Sequence, residues 1–114
     1  MTREQFRRMA LGLPGSCEQS HMGHPDFRVG GKIFATLDYP EPGWAVVKLL
    51  PDQQSYFVRS EPASFVPVKG DWGRQGSTNV RLKDATARKI KPALEAAWKN
   101  AAPKALAGKQ HESK

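Results

Sequence analysis

Near the start of the chain apolar side chains return every three or four residues. Phe6, Met9, Ala10 and Leu13 fall on one stripe of a helix. Thr2 can cap that helix, with Gln5 three residues on as in a capping box, and Gly12, Pro14 and Gly15 stop it. From Cys17 to Leu50 the period shortens and the chain reads as strands. In "FRVGGKIFATL" (27–37), two β-rich runs flank Gly30-Gly31, a two-residue hairpin loop that tolerates positive φ. That register sets Phe27 opposite Phe34 and Arg28 opposite Ile33. Apolar residues then occur on both faces, so the pattern does not identify the core face. "YPEPG" makes a second turn, and "WAVVKLL" is a largely apolar strand interrupted by Lys48.

The period changes again at "PDQQSYFVRSEP". Pro51 suits the first position of a short helix that ends before Pro62. "FVPV" is an extended piece weakened by Pro67. A Gly-rich loop, "KGDWGRQG" (69–76), leads into a last strand, "STNVRL". In the final helix Asp84 is the expected cap, and Ile90, Leu94, Ala97, Trp98 and Ala101 form the stripe to be buried. Pro92 lies within that stripe, where a kink or a split is expected. The order is helix, three strands, helix, a weak strand, a strand and a helix. It predicts an α+β fold with a mostly antiparallel sheet and helices packed on one face.

A length of 114 residues predicts one domain, read as 1–106 with a polar, disordered tail at 107–114. Hydrophobic residues make up 39% and charged residues 25%, a globular balance. No window is apolar enough to span a membrane, and the N-terminus is too charged for a signal peptide. One cysteine cannot form an internal disulfide. A cytoplasmic monomer without a cofactor is the expectation. The net charge of +7 is unevenly placed. Residues 1–68 hold seven Lys and Arg and seven Asp and Glu, whereas residues 69–114 hold eleven against four. The whole excess therefore lies in the second part, which points to an anionic partner.

Candidate chemistry narrows from there. Cys17, His21 and His24 are spaced like metal ligands, but zinc needs a fourth ligand that the neighbouring sequence lacks. The reading preferred for them is turn histidines and a small buried thiol. Neither a nucleophile motif nor a pair of carboxylates supports catalysis, and "GDWGRQGS" lacks the end of a phosphate-binding P-loop. Two Gly-rich turns do carry flanking cations, Arg28 and Lys32 at one, Lys69, Arg74 and Arg81 at the other. Loops between antiparallel strands can act as wings that touch phosphates. Trp72 could stack on a base or fold back over a core edge.

These stretches resemble the MmcQ/YjbR-like family. The resemblance rests on "LPG" followed by Glu18, on "GHPDFRVGGKIFATL" (23–37), on "VKL" followed by "PDQQ", on "FVPVKGDWGRQGSTNVRL" (65–82) and on "ALEAAWKNAAPKAL" (93–106). It implies a frataxin-like (CyaY-like) α+β fold. It also implies DNA binding through paired wing-like hairpins, which would set Arg28, Lys32, Trp72 and Arg74 near DNA. Kinship with frataxin suggests iron handling as well, but that resembles an acidic ridge, and the first helix here carries three Arg and one Glu. The expectation is a non-enzymatic DNA-binding protein that makes mainly phosphate contacts through Arg28, Lys32, Lys69, Trp72, Arg74 and Arg81. The alternative is a module for an acidic protein or a small phosphorylated ligand. An enzyme using His24 with Arg28 or Lys32 is the minor third.

Overall fold

A computed structural model describes residues 1–106, so the tail assigned to 107–114 lies outside the described residues. The elements are α1 (Arg3–Leu11), β1 (Cys17–His21), β2 (His24–Val29), β3 (Lys32–Leu37), β4 (Trp44–Lys48), α2 (Pro51–Ser60), β5 (Phe65–Pro67), α3 (Asp71–Arg74), β6 (Ser77–Arg81) and α4 (Ala87–Ala101). The six strands form one sheet in the order β1-β2-β3-β4-β6-β5, and every neighbouring pair is antiparallel. The α+β expectation holds. The segment read as three strands contains four, because Met22 and Gly23 turn the chain between β1 and β2.

Alternation along the strands decides the faces. One cross-strand row runs Phe27, Ala35, Val47, Thr78, and a second runs Leu37, Ala45, Val80, Phe65. All eight are buried. Over them lie α1 and α4, together with Phe57 of α2, whose ring centroid is 5.4 Å from that of Phe65. Trp98 is fully buried, and its indole N–H donates to the Pro14 carbonyl at 2.9 Å. The expected pairing of Phe27 with Phe34 is corrected. Arg28 does pair with Ile33, but a bulge between Phe27 and Arg28 sets Phe27 opposite Ala35. The extra residue lets Phe34 and Ala35 both be buried, which removes the conflict of two apolar faces.

The helix ends follow local hydrogen bonding. Thr2 and Gln5 form the expected capping box on α1. Thr86, not Asp84, caps α4 by accepting from the Lys89 amide, because Leu82–Asp84 is taken up by a 3-10 turn. Pro92 does not split α4. Proline removes the hydrogen bond to the carbonyl four residues back, and Arg88 and Pro92 are both exposed, so water can satisfy that carbonyl. Among the described residues no helix is long and apolar enough to cross a membrane.

Candidate functional site

Among the described residues no long helix lies over the other face of the sheet. Its central row runs Gln19, Asp26, Thr36, Val46, Asn79, Val66. Asp26 is fully buried there and is held by two side chains. Arg28 grips it with both ends of its guanidinium, at 2.8 and 3.0 Å, and His21 Nδ1 lies 2.7 Å from Oδ2. Burial alone would push this carboxyl up. The hydrogen bonds from Arg28 and His21, with their charges, outweigh burial and hold it below the ordinary carboxylate value. An ionised carboxylate only accepts, so the proton of the bond belongs to His21 Nδ1. Nε2 is then the ring nitrogen outside that bond.

The Gly-rich loop is a shaped platform and not a plain connection, because residues 71–74 make one helical turn. Its glycines are steric requirements. A Cβ at Gly73 would collide with the Val68 carbonyl, and one at Gly76 (φ +115°) with the Leu49 carbonyl. Gln54 of α2 pins the turn by donating to the Gly73 and Ser77 carbonyls at 3.0 and 2.9 Å. Trp72 does not fold back over the core. It is 59% exposed and stands beside the uncovered sheet face.

Around it opens a cleft of about 630 Å³. The β2–β3 hairpin contributes Arg28, Gly31, Lys32 and Ile33; β4 and the turn after it contribute Lys48 and Leu50; the platform contributes Trp72 and Gln75; α4 contributes Asn100. Ile33, Lys48, Trp72 and Ser77 are shared with a smaller pocket of about 200 Å³, which His21, Thr36, Tyr39, Val46 and Val68 complete. Tyr39 stands edge-on to His24, with ring centroids 5.3 Å apart.

Three of the six residues singled out from sequence, Arg28, Lys32 and Trp72, meet in this cleft. Arg74 is exposed but paired with Asp71 one helical turn away. Lys69 is exposed just before the platform. Arg81 lies four residues along β6 from Ser77, at the far end of the strand. There it stacks 5.0 Å from the Trp44 ring centroid and donates to the Ala63 carbonyl. Sequence reading missed Lys48, noted only as an interruption, and the bond between His21 and Asp26. The i, i+2 spacing of Asp26 and Arg28 on a strand was the available signal. Cys17 is exposed, not a core thiol, because β1 is an edge strand. Among the described residues no three His, Cys, Asp or Glu side chains gather as metal ligands would. A second basic surface lies on the helix side, where Arg8, Arg88 and Lys91 line a groove between α1 and α4.

A family model described as YjbR matches residues 11–100. No curated protein matches the chain. Among solved structures, a Deinococcus radiodurans protein with a DUF419 domain is similar at a TM-score of 0.72 and 18% identity, covering 98% of this chain and 86% of that one. A Pseudomonas syringae protein is similar at a TM-score of 0.68 and 15% identity, covering 89% of this chain and 99% of that one. At these identities the likeness concerns the fold.

Proposed function

The chain belongs to the YjbR family, and from that premise we propose that it is a non-enzymatic DNA-binding domain whose uncovered sheet face holds the phosphate backbone. One observation carries this reading: Arg28, Lys32, Lys48 and the exposed Trp72 converge on one concave surface. Lys32 and Lys48 are exposed and supply the charge a phosphate needs. Arg28 is already committed to Asp26, two residues away on the same strand, so the charge of the reading rests on Lys32 and Lys48. Trp72 offers an aromatic face on which a base can stack, a contact that tolerates any sequence. The hairpin on one side and the platform on the other act as the two walls of the cleft.

The test is DNA binding by fluorescence anisotropy across a salt series, on duplex and single-stranded oligonucleotides. Each phosphate neutralised gives a slope of about 0.9 in log K against log salt for duplex and about 0.7 for single strands. Lys32→Ala/Lys48→Ala is expected to weaken binding and make the slope shallower by about 1.4 to 1.8. Arg8→Ala/Lys91→Ala, on the helix side, is expected to change neither. Binding that ignores salt, or that ignores the loss of Lys32 and Lys48, would overturn the proposal.

A further inference from the structure

The cleft has two compartments of different character, and this inference rests on reading the outer one as a phosphate-binding surface. The inner pocket, about 200 Å³, is below the roughly 300–1,000 Å³ of sites that enclose a drug-sized molecule. It suits one small ring. Its walls are mixed. Val46 and Val68 are apolar and Trp72 is aromatic, while His21, Thr36 and Tyr39 bring polar groups to the same space. His21 cannot turn freely, because buried Asp26 holds its Nδ1. That bond holds the ring in one orientation and leaves Nε2 outside it. The outer cleft carries the lysines, and Lys48 and Trp72 line both compartments.

A compact ring with polar edges, joined to an anion a few ångströms away, is the chemistry of one nucleotide. We infer that the inner pocket takes a single nucleobase, with its phosphate on Lys48 and Lys32 and with Trp72 against the ring. In a duplex the base edges are paired and the rings stacked, so a base can enter only from an unpaired strand or at the expense of unpairing. The preferred ligand is accordingly single-stranded nucleic acid.

Four probes test this against wild type: an oligothymidine, a strand of equal length made of abasic sites, a duplex of the same length, and thymidine monophosphate. The expected result is oligothymidine binding about tenfold tighter than the abasic strand, within the range one base–aromatic stack supplies, and tighter than the duplex. Trp72→Ala should abolish that preference without changing Tm, since the side chain is largely exposed, and Trp72→Phe should restore most of it. Equal, salt-dependent binding of oligothymidine, abasic strand and duplex would overturn the base pocket and leave the phosphate surface standing. Monophosphate binding as tight as the oligomer would assign the pocket to free nucleotides and overturn the single-strand inference. Binding of none of the four would overturn this inference together with the reading beneath it.

Discussion

Asp26→Asn is the substitution that probes the uncovered face most sharply. The side chain keeps its shape, but the fully buried carboxylate loses the charge that Arg28 and His21 answer. Removing one member of a buried ion pair costs about 3–5 kcal/mol when the other is trapped. Arg28 is not trapped, since about a quarter of its side chain is exposed and it can swing into water. The expected loss is therefore about 2–3 kcal/mol, or a fall in Tm of about 8–12 °C at roughly 4 °C per kcal/mol for a domain near this size. Urea and thermal unfolding at neutral pH would measure it. The pH dependence gives an independent sign. The folded carboxyl titrates below its ordinary value of 3.8, so its contribution is fully present above that value and is lost as pH falls through the depressed one. The gap in stability between wild type and variant should close as pH falls below that ordinary value and through the depressed one. A variant as stable as wild type, or a gap that stays constant well below 3.8, would refute the claim that Asp26 is an ionised, doubly held carboxylate.

Gly73→Ala should lower stability by about 1–3 kcal/mol, as overpacking does, because its Cβ meets a main-chain carbonyl that cannot rotate away. It should also displace Trp72 and weaken oligothymidine binding; a variant with unchanged Tm and unchanged binding would mean the platform is not sterically locked. Asn79→Val should stabilise the domain by about 1 kcal/mol, read by urea unfolding, because Asn79 Oδ1 is buried with no hydrogen-bond partner among the described residues and an unpaired acceptor costs about 1–3 kcal/mol. A destabilised variant would show that this oxygen has a partner.

Much of this fold was legible because its signals are local. The capping box at Thr2, Pro51 opening α2, the Gly30-Gly31 turn and the stripe from Ile90 to Trp98 each depend on residues a few positions apart. What failed was non-local. The bulge at Phe27 and Arg28 lets the adjacent Phe34 and Ala35 both be buried, which no hairpin rule encodes. Thr86 displaced Asp84 as cap because a 3-10 turn claimed the residues before it. The charge asymmetry pointed to the second part of the chain, yet the cleft cations Arg28, Lys32 and Lys48 all come from the balanced first part. Many of the excess cations, including Arg88 and Lys91, ride on the solvent side of α4, where charge keeps an amphipathic helix wet. Trp72 was visible as a residue, but its exposure depends on Gly73 and Gly76 letting the platform lie against Val68 and Leu49.

The two basic surfaces give the most direct measurement. Amide and indole resonances of the isotopically labelled protein would be followed during titration with a short single-stranded DNA at physiological salt. The account predicts saturable shifts concentrated at Lys32, Lys48, His21 and the Trp72 indole, with Arg8, Arg88 and Lys91 unmoved. Shifts confined to the groove between α1 and α4, with the cleft silent, would contradict it.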